Sequence, residues 1–244
     1  MGKKRPRTDT TEVEAVTKLI KKEKRNVIVL LEQASLETIQ VAGGREHQLL
    51  NPDKHRDRIL KANRDISAIR PDITHQCLLM LLDSPLNRVG KLKVYIRTCK
   101  NIIIEVSSKC RIPRTFDRFA GLMSQLLQKL SITAAEGSHE KLLRVVKNPI
   151  SIHFPPNSLV VGLSHNSEQM LTFDDLPNLE PNGTHDTLVF IIGAIAHGSI
   201  NTTCSDIVNQ TVSISRFPLS AAQVCDRICQ SFEKIWNVED YLKE

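Results

Sequence analysis

The stretch TLVFIIGAIAHGS, residues 187–199, joins an almost wholly apolar run to a loop with two glycines. A segment that is apolar on both of its alternating faces is typical of a strand buried on both sides of a parallel sheet. The segments NVIVLLEQ (residues 26–33) and LVVGLSH (residues 159–165) share this character, and TVSIS (residues 211–215) is expected to form a further interior strand. Because strand and helix signals alternate in the last third, the sequence predicts an α/β fold with a parallel sheet.

A helix and a β-hairpin are predicted in the middle of the chain. Pro71 stands at the start of a helix of about three turns that ends before Pro85. The hairpin follows, with β-branched strands at residues 93–98 and 101–106 and with Asn101 at the turn.

Two amphipathic helices are predicted further along. The first begins at Thr115, and its apolar side chains recur at helical spacing: Phe116, Phe119, Met123, Leu126, Leu127 and Leu130. The second begins at Ser220, which has the spacing of a capping box with Gln223, and it runs through Trp236. Residues 48–65 are polar and are predicted to be irregular.

The positive charge of the chain is concentrated at its start. The net charge is +6, and residues 1–25 carry nine Lys/Arg and four Asp/Glu. We therefore expect a basic flexible arm at residues 1–24 and one nearly neutral domain with an insertion at residues 25–244. The run KKRPR, residues 3–7, has three open interpretations: a nuclear localisation signal, a loose RNA-binding tail or a solvated segment.

Apolar runs and cysteines indicate the compartment. No apolar run approaches the roughly 18 residues that span a bilayer, so we expect no membrane contact and a soluble, intracellular protein. The cysteines contain no C-x-x-C pair, and Cys225 and Cys229 fit one face of a helix better than a zinc site. The sequence therefore predicts no metal and mostly buried, reduced thiols at Cys77, Cys99, Cys110, Cys204, Cys225 and Cys229.

Two loops that follow predicted strands are candidates for a ligand site. GAIAHGS, residues 193–199, has the glycine spacing of a phosphate loop, but Ser199 stands where that motif requires lysine, which excludes an NTPase. SRFPLS, residues 215–220, follows the next strand. Two converging strand-end loops can bind a nucleoside through backbone groups. Ordinary turns are the alternative.

RIPRTFDR, residues 111–118, places three arginines where a helix begins. Positive charge opposes the local field of a helix start, whereas guanidinium groups and free N–H groups suit phosphate. The segment therefore indicates RNA binding, with Lys91, Lys93, Arg97 and Lys100 as extensions of the same patch. The alternative is a solvated helix entrance with Asp117 as the counter-charge.

Three further polar residues surround the first helix. Asp72 opens it and is expected to cap it. His75 is expected to be packed or capping and not a metal ligand. Asp83 lies near the negative end of the helix dipole, which is an unfavourable place for an acid, so Asp83 has either a functional role or a partner such as Arg88.

Five blocks of the sequence carry a resemblance: residues 70–96, 111–130, 147–150, 190–198 and 214–222. They are similar to the eukaryotic pseudouridine N1-methyltransferases, which act on small-subunit ribosomal RNA during ribosome assembly. These proteins belong to the SPOUT, or α/β-knot, class. The resemblance implies a parallel sheet with a C-terminal trefoil knot, an inserted β-hairpin and helix extension, a homodimer, binding to S-adenosylmethionine, and work in the nucleus and nucleolus beside other assembly factors.

The resemblance also implies site residues. The cofactor contacts of the family fall on Leu163, Gly193, Gly198, Ser199, Ile200, Ile214, Ser215, Arg216, Phe217, Pro218 and Leu219. Its RNA contacts fall on Arg70, Asp72, Arg111, Arg114 and Arg118.

The chemistry implied is methyl transfer to N1 of a pseudouridine that is turned out of its loop. The proton on N1 needs a base, for which Asp83 is the candidate, while Asp72 is expected to orient Arg70. An assembly factor whose RNA binding matters more than its catalysis has the same sequence features, so the sequence does not separate the two roles.

Overall fold

The computed structural model describes residues 26–135, 139–172, 174–176, 179, 185–198 and 205–238. The strands are β1 (Asn26–Ala34), β2 (Thr38–Val41), β3 (Glu46–Leu49), β4 (Leu92–Thr98), β5 (Ile103–Val106), β6 (Ser131–Thr133), β7 (Lys141–Val146), β8 (Ser158–Leu163), β9 (Thr187–Gly193) and β10 (Gln210–Val212). The helices are α1 (Pro52–Lys61), α2 (Pro71–Asp83), α3 (Pro85–Arg88), α4 (Phe116–Lys129) and α5 (Ala221–Ile235).

Eight strands form one mixed sheet in the order β10-β8-β9-β1-β4-β5-β7-β6. The strands from β10 to β4 are parallel, and β5, β7 and β6 continue the sheet in antiparallel pairing. The prediction of an α/β fold with a mostly parallel sheet and an added hairpin and helix is therefore confirmed. TVSIS is not an interior strand, however, because β10 covers only three residues and lies at the sheet edge.

Helices cover one face of the sheet. The apolar faces of α2, α4 and α5 pack on alternate residues of β1, β4 and β9 in one core cluster. Phe232 of α5 joins this core to the sheet, with its ring 5.7 Å from Phe190 and 5.1 Å from Trp236. The opposite face carries a smaller core around Tyr95.

The predicted starts of the helices and the hairpin turn are confirmed. Pro71 is the first residue of α2, and Thr115 is the N-cap of α4. The Ser220 hydroxyl accepts a hydrogen bond from the Gln223 amide at 3.2 Å. Asn101 adopts the left-handed conformation at the hairpin turn, with φ 58°.

The prediction that residues 48–65 are irregular is wrong. β2 and β3 form a separate two-stranded antiparallel sheet, and α1 follows it. Asn51 caps α1 by accepting the Asp53 amide at 2.9 Å. The helix buries only His55 and Ile59, so its polar surface hides the periodicity that would have predicted it.

Two expectations lie partly or wholly outside the described residues. The basic arm, residues 1–24, is one of them. The other is the trefoil knot, because the connections after β8 and β9 include residues 173, 177–178, 180–184 and 199–204. The knot therefore stays a prediction.

Burial of the thiols is confirmed for Cys77, Cys110, Cys225 and Cys229, while Cys99 is exposed and Cys204 lies outside the described residues. Burial raises the pKa of Cys110 to about 11 and that of Cys229 to about 12. None of the helices in the described part of the chain is both long and apolar enough to cross a bilayer.

Adjacent residues of α1 provide a test of its packing. Ile59 is 2% exposed and packs in a small cluster with Leu50 and Ile69, whereas Leu60 is 51% exposed. Ile59→Ala should lower the free energy of unfolding by about 2 to 4 kcal/mol, because it leaves a cavity. Leu60→Ala should cost less than about 0.5 kcal/mol. Urea denaturation measures both, and equal losses would contradict the packing of α1.

Candidate functional site

A pocket of about 290 Å³ opens where β8, β9 and β10 end. The carboxyl ends of parallel strands meet at one edge of a sheet, so the loops that follow them converge there. The pocket is lined by eight of the predicted cofactor residues: Leu163, Gly193, Gly198, Ile214, Ser215, Phe217, Pro218 and Leu219. Arg216 does not line it, and Ser199 and Ile200 lie outside the described residues.

Several lining residues were missed by the sequence analysis. They lie in the loop after β8 and at the start of α5: Ser164, His165, Asn166, Ala221 and Val224. Ile195, Ala196 and His197 also line the pocket and belong to the candidate loop at residues 193–199. The rule that pointed to the other two loops applies equally to the loop after β8, because β8 is also a parallel strand of the same edge.

Backbone hydrogen bonds fix the pocket loops. The Ala194 amide donates to the Glu32 carbonyl at 2.8 Å, which ties the loop after β9 to β1. The Ser213 hydroxyl donates to the Ser215 carbonyl at 2.9 Å, and the Phe217 amide donates to the Ser215 hydroxyl at 3.0 Å. Gly198 has φ +114°, a conformation that side-chain-bearing residues rarely adopt.

The described lining of the pocket contains no Lys, Arg, Asp or Glu. Apolar side chains such as Ile192 and Leu219 stand beside backbone groups and the hydroxyls of Ser164 and Ser215. A triphosphate needs cationic partners, whereas an adenine ring and a ribose need apolar walls and a few polar groups. The pocket therefore suits a nucleoside.

Arg70 and Asp72 form a bidentate ion pair at the start of α2. The Arg70 Nε donates to Asp72 Oδ1 at 2.9 Å, and its second guanidinium nitrogen donates to Oδ2 at 2.7 Å. The hydrogen bond from Arg70 lowers the pKa of Asp72 below its ordinary value and outweighs the effect of burial. Asp72 thus orients Arg70, as predicted, but it is not the cap of α2, because the N-cap residue is Arg70.

Arg70 lies at the same sheet edge as the pocket. The loop before it contains Arg64, which pairs with Glu37 just beyond the carboxyl end of β1. Since β1 lies beside β9 in parallel pairing, this loop and the loop after β9 lie at the same edge of the sheet.

His75 positions the arginine segment. It is buried, and its ring stacks on Phe119 with the centroids 4.5 Å apart. Its Nε2 lies 2.7 Å from the Pro113 carbonyl oxygen and, as a donor, fixes the backbone between Arg111 and Arg114. The expectation of a packed histidine is confirmed.

The arginines of residues 111–118 differ in their surroundings. Arg114 precedes the first helical residue of α4, so it shares no helix face with Arg118. Arg111 and Arg118 are exposed and form no ion pair with the described residues. Asp117 pairs with Lys54 of α1 at 2.5 Å and is therefore not the counter-charge of the arginines.

Asp83 lies outside the pocket of its own chain. Its partner is Arg114 at 2.6 Å, and not Arg88. It ends α2, whose 13 residues at 1.5 Å each place it about 20 Å from Arg70. The structure therefore brings Arg70 and Asp72 to the pocket edge and leaves Asp83 and Arg114 at the opposite end of α2.

The four basic residues of the hairpin do not form one patch. Arg97 pairs with the buried Glu32, and Lys100 pairs with Glu37, at the carboxyl end of the parallel strands. Lys91 and Lys93 lie at the other end of β4. The expected extension of the arginine patch is therefore wrong for Arg97 and Lys100.

Residues 29–233 match the family described as EMG1/NEP1 methyltransferase. The chain belongs to this family. It is 51% identical to the mouse protein named ribosomal RNA small subunit methyltransferase NEP1 over 214 residues, which are 88% of this chain and 83% of the mouse protein. The human protein of the same name shows the same identity and coverage.

An archaeal solved structure has the same fold. It is the Nep1 of Archaeoglobus fulgidus bound to S-adenosylhomocysteine, with a TM-score of 0.69 and 27% sequence identity. The match covers 86% of this chain and 98% of the archaeal chain.

The ion pair of Arg70 predicts how the site responds to acid. Because the pKa of Asp72 lies below its ordinary value of 3.8, the pair and its stabilising contribution are present above that value and are lost as the pH falls through the lowered pKa. The NMR signal of the Arg70 Nε–H should therefore keep its paired position down to about pH 4. Asp72→Asn should shift it at all pH values. An unperturbed carboxyl group, with a pKa of about 3.9, is already ionised above about pH 5. Loss of the paired signal in the parent between about pH 6 and pH 5 would therefore contradict the pair.

Proposed function

We propose that the protein transfers a methyl group from S-adenosylmethionine to N1 of a pseudouridine in small-subunit ribosomal RNA. The observation that carries the proposal is the uncharged pocket at the ends of β8, β9 and β10, in a chain of the EMG1/NEP1 methyltransferase family. The names of the mouse and human relatives support ribosomal RNA as the substrate, and the ligand of the archaeal relative supports the cofactor.

The residues present fit this cofactor. Leu163, Ile192 and Leu219 would enclose the adenine ring, and the backbone between Gly193 and Gly198 would bond to polar atoms of the ligand. When bound, the cofactor supplies an activated methyl group. The protein's own task is to hold N1 of the RNA base in line with that group and to exclude water.

The arginines would bind the RNA backbone. Arg111 and Arg118 present exposed guanidinium groups, and Arg70 is held in a fixed orientation by Asp72. Guanidinium groups bind phosphate in a bidentate manner, so these residues would fix the RNA loop while the target base turns into the site.

N1 of pseudouridine must lose a proton when its bond to the methyl carbon forms. We keep Asp83 as the candidate acceptor, which requires that Asp83 reach a cofactor pocket other than that of its own chain. Its ion pair with Arg114 would place an acceptor beside a phosphate-binding group.

We also propose a homodimer, which would meet this requirement. Met80 lies near Asp83 and is 42% exposed, and Phe217 lies at the mouth of the pocket and is 76% exposed. In a dimer with two-fold symmetry, if a first patch of one chain contacts a second patch of its partner, the first patch of the partner also contacts the second patch of the first chain. Pairing the Met80 end with the Phe217 end would cover both apolar side chains and bring Arg114 and Asp83 to the partner's pocket.

The place of action is proposed to be the nucleolus, within small-subunit assembly and beside other assembly factors. A ribosomal RNA substrate and the basic run at residues 3–7 support this proposal. The variants described next distinguish catalysis from a role through RNA binding alone.

Gly198→Val tests the cofactor site. Valine does not adopt φ +114° without strain, so the loop after β9 should change shape. We expect binding of S-adenosylhomocysteine, measured by calorimetry, to weaken at least about tenfold, which is about 1.4 kcal/mol. Methylation of a pseudouridine-containing RNA hairpin should fall accordingly, while the same hairpin with uridine should accept no methyl group from any variant.

Gly43→Val is the matched control. Gly43 also has a positive φ, +68°, and has no atoms near its potential Cβ, but it lies in the turn between β2 and β3, away from the pocket. It should bind S-adenosylhomocysteine like the parent. Unchanged binding by a folded Gly198→Val protein would show that the pocket is assigned wrongly.

A mixing experiment tests the dimer. If each site combines the pocket of one chain with Arg114 of the other, Gly198→Val and Arg114→Ala chains should each have low activity alone. Co-expressed at equal amounts, they should recover about a quarter of the parental activity, because half of the dimers carry one intact site of two. No recovery, in dimers verified by sedimentation, would place the whole site within one chain.

A further inference from the structure

A second, larger groove of about 710 Å³ lies at the amino ends of β1, β4 and β9, opposite the cofactor pocket. β1 has nine residues, so at about 3.3 Å per residue the two sites of one chain are separated by roughly 26 Å. The groove also touches the start of β7 and the turn at residues 107–108. It plays no part in the site already described.

The lining of this groove is strongly cationic. Lys93, Lys141 and Arg144 line it with half-exposed or exposed side chains, against Glu105 as the single carboxylate among the described lining residues. Glu105 is bonded to Lys93 at 3.1 Å and to Arg144. One carboxylate does not balance three cations, so an excess of positive charge faces the groove.

The charges are held in place by the sheet. Burial alone would lower the pKa of Lys93, but hydrogen bonds with Tyr95 and Glu105 outweigh it and raise the pKa. The Lys93 Nζ also lies 5.0 Å from the centre of the Tyr95 ring. Lys141 is exposed at the first position of β7 and pairs with no described carboxylate.

The groove is continuous with the arginine segment. Ser107 and Ser108 form part of its wall, and Arg111 follows three residues later. The turn between them is fixed, since the Asn87 side chain donates to the Ser108 carbonyl at 3.0 Å and the Cys110 amide donates to the Ser107 carbonyl at 2.9 Å. Three residues span at most about 11 Å, so the Arg111 backbone lies within about 11 Å of the Ser108 wall, and an RNA backbone bound at Arg111 would lead toward the groove.

Asn26 adds a second link to positive charge. It lines the groove and directly follows residues 1–25, which carry nine Lys/Arg and four Asp/Glu. Inside the groove, Lys93, Lys141 and Arg144 are interspersed with the hydroxyls of Ser107 and Ser108, a combination that suits a sugar–phosphate backbone.

We propose that this groove binds the backbone of the substrate RNA outside the target loop and so extends the RNA footprint beyond Arg111. The inference rests on the proposed function, because it takes RNA as the substrate. Single-stranded RNA is the form proposed, and contacts to its phosphates give affinity without sequence selection.

The test compares two RNAs. One is a short hairpin with pseudouridine in its loop, and the other is the same hairpin with single-stranded extensions on both sides. Lys141→Glu should lower affinity for the extended RNA about tenfold and flatten its log-affinity against log-salt slope by about 0.7, as expected for one lost phosphate. Affinity for the short hairpin, and its methylation, should stay within about twofold of the parent, because Lys141 lies outside the proposed cofactor and arginine sites.

Lys61→Glu is the matched control. Lys61 is an exposed lysine at the end of α1, outside the groove, and carries the same change of charge. If Lys61→Glu and Lys141→Glu weaken the affinity for the extended RNA equally, the effect comes from net charge alone and the inference is overturned. Unchanged affinity of Lys141→Glu for the extended RNA would also overturn it and would leave an acidic protein as the occupant to test.

The proposed function has a separate outcome in the same experiment. If the parent protein transfers no methyl group to the short hairpin, the proposed reaction is wrong. The affinities for the extended RNA still decide whether the groove binds RNA.

Discussion

The parallel pairing of β1 with β9 is the constraint on which the rest of the structure depends. The pairing runs without interruption from Asn26 opposite Thr187 to Glu32 opposite Gly193. In a parallel sheet, the chain leaves every strand at its carboxyl end and enters the next one at its amino end. The connecting loops therefore lie at the two ends of the strands. The loop after β9 at the carboxyl end, and Asn26 and Thr187 in the groove at the amino end, take their positions from this alignment.

This alignment also separates the electrostatics of the protein into two environments. The carboxyl edge holds a pocket without Lys, Arg, Asp or Glu in its described lining, and Arg97 and Lys100 at that edge are paired with Glu32 and Glu37. The amino edge holds a groove in which Lys93, Lys141 and Arg144 surround one carboxylate. A sulfonium cofactor carries positive charge of its own, so free cations at its pocket would oppose its binding. RNA phosphates need the opposite environment.

Much of this arrangement was predictable from the sequence. β1, β8 and β9 are apolar on both faces, and α4 and α5 carry regular apolar stripes, so periodicity alone defined them. The element that periodicity missed has a small apolar face, since α1 buries two side chains. The strand predicted at residues 211–215 exists as β10, but it has three residues and lies at the sheet edge. The position of the pocket was predictable from the ends of the strands. Residues 164–166 were missed because the loop that contains them has no glycine.

Contacts between distant segments are what periodicity does not encode. His75 and Pro113 are 38 residues apart in the sequence and are joined by a hydrogen bond. Asp83 of α2 and Arg114, which precedes α4, are likewise joined by an ion pair. The exposed ion pair adds little stability by itself, since solvent screens it. Its effect is on placement: Asp83 holds Arg114 at the end of α2 that is distant from its own pocket. A phosphate that takes Arg114 from Asp83 would also release the carboxylate, so RNA binding and the availability of a proton acceptor would be coupled through one side chain.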